Sequence, residues 1–534
     1  MSAATPLPHT FPPTTAGVLE RKPTLDHDED VKLEETNALT EIPTTAWADL
    51  TIKEAVKTFR KTTIVCVAVL FIACSDGFQF SLPGNLLNLE PYKLQLVSLS
   101  TRSMLELGTA RTLLDISQPS LYLLTGLMII ACIIETIARD WRVWLAAKIL
   151  NGMSVGLCQM TLSSYVAEVA PVRIRGSLLV VYSFFFSFGQ FTAAIATYVL
   201  QSGFQEDRAY LRVIYSMWVF TAISLAVTVF VPESPRWYLR VGKREKAVKV
   251  LQRLNGKIPG YDIERELNFM SYELTGELNM LAESAKVSYF DLFRGPNLRR
   301  TLVSFSVLGW QQCIGIAIVY GNSAIFFRAA GLANPFLGTV IINLLSLVVI
   351  FTSSYLVERF GRRPLLLIGG CGMVSCLIII GSMGFLSTAG PNGGVVGGVT
   401  VAFMCIWVIF YTSSAGPCGY LLLGESPTSR LRAKTTGFAA AMSGVFGLIF
   451  SYTSPLMILN TGRGWGIKTA YLFAGTGFIG LVLVYFFVPE HKGRTFAELD
   501  EMYENRIPAR KFRSTVTSAE QAKEVARNAA TAPA

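Results

Sequence analysis

Asp76 and Lys148 are the two charges set deepest in apolar sequence in the first half of this 534-residue chain. Asp76 follows LFIACS, and Lys148 lies in WLAAKILNG. A carboxylate in such surroundings needs a partner or a proton. With its pKa set by a cation and by changing hydration, it can take up a proton on one side and release it on the other. Glu135 ends an apolar run and reads as an interfacial residue. A second set comprises Gln190 in SFGQF, Gln311 and Gln312 in GWQQCIG, Tyr320, Asn322, and Tyr420 in GPCGY. Side-chain amides, hydroxyls and aromatic faces are what a polyhydroxylated ring requires. The bland role of a lone Gln here is a helix–helix hydrogen bond. A third set stands where apolar runs end: Glu168 with Arg173 and Arg175, Glu425 with Arg430 and Arg432, and Glu358 with Arg362 and Arg363. Opposite charges that pair only when one side is closed form a gate. Their ordinary alternative is anchoring by basic loops.

Other chemistries are excluded. The three histidines, His9, His27 and His491, are far apart in sequence, which removes a histidine metal site or a Ser/His/Asp triad. Nine cysteines without a C-x-x-C pair read as buried free thiols. GGVVGG (393–398) and GWGIK (464–468) follow no strand, so neither is a phosphate loop. No cofactor, metal or nucleic-acid partner is expected. Hydrophobic residues make up 51% of the chain and charged ones only 16%, with mean hydropathy +0.44. A soluble domain carries roughly 25% charged residues. The class is therefore an all-α polytopic membrane protein, with the bilayer as its obligatory partner.

The elements that must hold these residues are spans of about 20 apolar residues. Eleven runs qualify: 62–82, 119–138, 142–165, 177–200, 212–231, 300–322, 335–357, 364–386, 397–423, 434–457 and 468–488. Residues 1–55 read as a disordered acidic tail; the first 50 hold nine acids and three bases. Bundles at 60–231 and 298–488 flank a polar helical linker at 232–297, and 489–534 form a polar tail. Basic clusters place both termini on the cytoplasmic side. One segment breaks this order. Between 86 and 118 the chain must cross back, yet Lys93, Arg102, Glu106, Arg111 and Asp115 interrupt every window. A second span therefore looks missing, from a shortened gene product or a divergent isoform.

The halves repeat. Glu168 and Glu425 are 257 residues apart, as are Arg175 and Arg432, Arg173 and Arg430, Pro232 and Pro489, and Glu233 and Glu490. Duplicated bundles with a midplane site between them are a transporter architecture. PESPRWYL (232–239), RFGRRP (359–364), GPCGYLLLGESPTSRLRAK (416–434) and PEHKGRTFAELDEMYE (489–504) together resemble the sugar porter branch of the major facilitator superfamily. FQFSLPGN (78–85) and PARKF (508–512) are most similar to fungal hexose and α-glucoside permeases.

That resemblance implies a twelve-span major facilitator fold and a monomeric plasma-membrane protein that is not an enzyme. It implies sugar:proton symport by alternating access. Lys148 would face Asp76, and Gln190, Gln311 and Gln312 would bind sugar. The alternatives are a facilitative sugar or polyol uniporter, a transport-incompetent sensor on the same fold, or a defective isoform lacking span two. Ala317, Tyr420 and Ser443–Gly444 replace bulkier or more polar family residues. They imply a larger pocket, suited to a di- or oligosaccharide or a polyol.

Overall fold

The computed structural model describes residues 51–86, 118–203, 209–386, 392–428, 430–459 and 465–518. The tail to residue 50 and the stretch at 87–117 fall outside the described residues, and with them the expectation of a missing span. Every regular element among the described residues is helical.

Helices α1 (Ile52–Thr58), α2 (Arg60–Leu70) and α3 (Ala73–Leu86) come first, with a short break at 71–72. A capping box starts α1: Thr51 and Glu54 satisfy each other's backbone donors. Next are α4 (Gln118–Ile137), α5 (Trp141–Val169), α6 (Val172–Gly203) and α7 (Ala209–Phe230). The linker folds as α8 (Pro235–Arg240), α9 (Arg244–Asn255) and α10 (Ile263–Lys286). The second half runs through α11 (Gly295–Gln311), a π-helical segment (Gln312–Gly321), α12 (Ser323–Ala329), α13 (Pro335–Phe360), α14 (Arg362–Met383), α15 (Asn392–Ser413), α16 (Ala415–Glu425), α17 (Arg432–Leu459) and α18 (Thr469–Phe487). A last helix, α19 (Phe496–Glu504), lies in the tail.

Ten helical stretches among the described residues are long and apolar enough to cross a membrane. On that criterion the count is ten, not the eleven expected. The exception is α5, which matches the run at 142–165. Its 29 residues exceed a span's length, but Asn151, Ser154, Gln159, Thr161 and Ser163 dilute its hydropathy. Asn151, Ser154 and Thr161 are buried, so these polar groups serve the interior of the bundle rather than lipid.

Two glycines let α3 and α6 touch backbone to backbone. A Cβ on Gly77 would overlap the carbonyl oxygen of Phe186, and one on Gly189 would overlap that of Cys74. Helix α6 also packs against α13 of the second half, where the Phe184 and Phe351 rings lie 5.0 Å apart. The second half has its own core around Trp310, Trp407, Phe473 and Leu377. There Trp310 donates its indole N–H to the Gly477 carbonyl at 2.9 Å.

The linker touches both halves. Thr62 donates to Asn255 at 2.6 Å, and Lys434 donates to the Ser284 carbonyl at 2.9 Å. The tail, expected only to be polar, packs as far as residue 518. Leu499, Met502, Tyr503 and Phe512 form a buried cluster, and Arg299 donates to the Ile507 carbonyl at 2.6 Å.

Candidate functional site

Helix α3 carries Asp76 and Gln79 one turn apart, and the structure gives them different surroundings. Asp76 is 3% exposed. Its Oδ2 accepts from the Tyr182 hydroxyl of α6 at 3.2 Å and from Gln159 Nε2 of α5 at 3.5 Å. Both donors are neutral. Lys148, expected opposite Asp76, instead places its ammonium 2.8 Å from Glu135 Oε1, with side chains 1% and 0% exposed. Gln79 bridges this pair: its Oε1 accepts from Lys148 at 2.8 Å and its Nε2 donates to Glu135 at 3.4 Å. Asn151 Nδ2 reaches the same carboxylate at 3.4 Å. Two expectations are thereby corrected. Glu135 is fully buried rather than interfacial, and it holds Lys148 in the role expected of Asp76.

The cause lies in the chain path. Only residues 138–140 separate α4 from α5, so the two helices are antiparallel neighbours. Glu135, near the end of α4, then lies beside Lys148, two turns into α5. The short connection is a readable signal for this pair. Tyr182 and Gln159 have none, because both belong to distant segments.

The candidate sugar contacts divide in the same way. Gln311 is buried and donates Nε2 to the carbonyls of Ala415 and Gly416, which ties α11 to the start of α16. Asn322 is buried and donates to the Ala317 carbonyl at 3.1 Å, closing the π-helical segment. Gly315 kinks that segment with φ 107°. Gln190 is 4% exposed on α6. Gln312 keeps accessible surface and donates to Ser443 Oγ at 3.4 Å. Tyr320 shares its hydroxyl with Ser346 at 3.1 Å and Thr412 at 3.3 Å. Tyr420 is 66% exposed. Beside Tyr320, the Trp407 and Tyr411 rings stack at 5.1 Å.

The charged ends make different pairs from those expected. Arg362 joins Glu425 at 2.7 Å rather than Glu358, which is exposed. The reason is Gly361, whose φ of 91° turns the chain between α13 and α14 and sends Arg362 toward the end of α16. Arg363 donates its side chain to the Tyr485 carbonyl at 2.6 Å. The backbone amides of Arg362 and Arg363 both donate to Glu490 at 3.0 Å. Arg432 lies over the Phe496 ring at 4.5 Å instead of meeting Glu425. Glu168 interacts with Arg236 and Arg240 of the linker rather than with Arg173 or Arg175. Burial holds Arg236 below the usual arginine range; neighbouring Arg175 adds to this, and Glu168 opposes it.

Arg362→Ala is expected to cut the maximal uptake rate roughly tenfold with KM within about twofold. Loss of a charged hydrogen bond is worth about 1.5–3 kcal/mol; both side chains are partly exposed, so the lower end applies. An unchanged maximal rate at equal surface expression would exclude this pair from the gate role expected of the charged helix ends.

Long apolar helices, polar groups turned inward and charge pairs at the helix ends are the arrangement of a membrane transporter. The same fold is seen in the major facilitator proton:xylose symporter XylE. That structure aligns over 84% of this chain and 100% of its own, with TM-score 0.62 and 20% identity. The sequence profile of the sugar (and other) transporter family matches residues 117–503, and the chain belongs to that family. The general alpha-glucoside permease of Saccharomyces cerevisiae is 32% identical over 69% of this chain and 60% of its own length. The probable high-affinity hexose transporter ght7 of Schizosaccharomyces pombe is 27% identical over 73% of this chain and 74% of its own length. These relatives are transporters, not enzymes.

Proposed function

We propose that this protein carries a sugar, an α-glucoside or a hexose, across the plasma membrane together with a proton by alternating access. The carrying observation is Asp76, a carboxylate buried in a span of a sugar-transporter chain with only neutral hydrogen-bond donors. An ionised carboxylate in such a site lacks the charge partner that offsets its desolvation. Binding a proton removes that cost, and rehydration on the far side favours its release. Proton binding and release thus follow the change of access. XylE, which is a proton:xylose symporter, supports the coupled reading as a relative in fold.

The sugar would sit between the halves. Gln312 with Ser443, Tyr320 and Tyr420 supply the second half's wall, and Gln190 the first half's. Gln311 and Asn322 act one step back, holding the helices that carry those groups. Small residues at Ala317, Ser443 and Gly444 leave room for a second ring, and the permease relative is named for α-glucosides.

The test is sugar-triggered alkalinisation of the medium by cells that make this protein as their sole sugar carrier. Maltose or glucose should drive proton uptake. Sugar entry with no proton movement would establish uniport instead. In the same cells maltose should compete with glucose for uptake at least tenfold better than xylose does. Exclusive glucose transport would sink the enlarged pocket.

A further inference from the structure

We propose that Glu135 is a positioning residue of the coupling step: by holding Lys148, it keeps that cation from Asp76 and leaves Asp76 able to take up a proton. The inference rests on the symport reading above. Glu135 and Lys148 meet at 2.8 Å with side chains 0% and 1% exposed. Separating such a pair would leave an uncompensated charge on each side, so the pair holds fast. Gln79 links it to α3, accepting from Lys148 and donating to Glu135. Gln79 lies three residues after Asp76 on one helix, a spacing that makes side chains neighbours at about 5–6 Å. Lys148 thus bonds a side chain that lies one helical turn from Asp76, and its charge is already committed to Glu135.

The groups around Asp76 contain no competing buried cation among the described residues. Helix α5 presents Gln159 and Cys158, and α6 presents Tyr182. Ser75 of α3 and Ser224 of α7 pair with each other at 3.3 Å, and Cys74 lies on the same turn of α3. From the second half, Tyr420 acts on Tyr182, the π-helical segment and α12 pack against α3, and α12 carries Arg328 on its exposed end. Around Glu135 stand Lys148 and Asn151 of α5, Gln79 of α3 and Cys132 of its own helix, and Gln79 also donates to Met217 of α7. With Glu135 neutralised, Asp76 is the carboxylate left for Lys148 to approach. A cation within about 4–6 Å lowers a carboxyl pKa by about 1–3 units. Asp76 would then stay ionised until the medium is more acidic.

The experiment measures maltose- and glucose-driven proton uptake against external pH in cells making the full chain, with surface amount determined in parallel. Glu135→Gln should move the midpoint of coupled uptake down by about 1–3 pH units. Its sugar counterflow, which needs no net proton movement, should stay within twofold of wild type. Glu135→Gln with Lys148→Gln should return the midpoint to the wild-type value, a rescue that a merely structural role would not give. Should Glu135→Gln fail to reach the membrane, Glu135→Asp, with a loosened pair, should shift the midpoint partway in the same direction. A midpoint unmoved in these variants, with wild type coupled, overturns the inference. Wild type moving sugar without protons is a different result: it overturns the symport reading on which the inference stands.

Discussion

Asp76→Asn is expected to reduce sugar-driven proton uptake to background, a loss of more than about tenfold, while sugar exchange across the membrane continues. The substitution keeps the size of the side chain. It also keeps an oxygen that can accept from Tyr182 at 3.2 Å or Gln159 at 3.5 Å. What it removes is the capacity to bind and release a proton. In the proposed symport cycle a carboxylate here would alternate between a protonated buried form and an ionised hydrated one; the amide is fixed in the neutral form. Net accumulation against a gradient should therefore fail, and counterflow should survive. Unchanged sugar-driven proton uptake in Asp76→Asn would exclude Asp76 as the proton site. Loss of counterflow as well would mean that Asp76 binds sugar rather than protons.

The second large effect concerns assembly. Gly189→Ala should lower the thermal stability of the protein well below wild type and reduce the amount at the membrane, because the added methyl would overlap the carbonyl oxygen of Cys74 and crowd the Phe78 amide nitrogen. Both are α3 backbone atoms and cannot rotate away as a side chain can. Relief requires moving α3 and α6 apart, which also displaces Asp76 from Tyr182. Overpacking of a close interface costs about 1–3 kcal/mol or more, set against an ordinary stability margin of about 5–15 kcal/mol. Gly126→Ala and Gly176→Ala are the controls, since a methyl at either meets nothing within 4 Å. Thermal unfolding in detergent, followed by size-exclusion chromatography, separates the cases. Equal stability of Gly189→Ala and Gly176→Ala would show that the α3–α6 contact is looser than described.

Much of the site is legible in the residues themselves. Asp76 and Lys148 stand out because charge inside apolar sequence is rare and must be explained. Their partners do not. That Lys148 faces Glu135 depends on α4 and α5 folding back on each other, and Glu135, near the end of its run, reads as interfacial until that fold is known. The amide residues show the same limit. Gln311 and Gln312 are adjacent in sequence, yet successive residues on a helix point about 100° apart. One reaches the backbone of α16 and the other reaches Ser443 with surface still accessible. At the helix ends, charge signs are legible but not partners: the left-handed turn at Gly361 sends Arg362 to Glu425, 63 residues on, rather than to Glu358.

The sequence by itself determined the class of this protein, its helices and the placement of most crossings. Those properties are local. In a bilayer each segment must satisfy its own backbone and carry enough apolar surface, and both can be counted along the chain. The tertiary structure alone decided that Asp76 sits with Tyr182 and Gln159, that Lys148 belongs to Glu135, and that Gln311 braces a helix. Each of those choices turns on the rotation of one helix against another. That angle is set by the contacts among several distant segments, and no single stretch of sequence contains it.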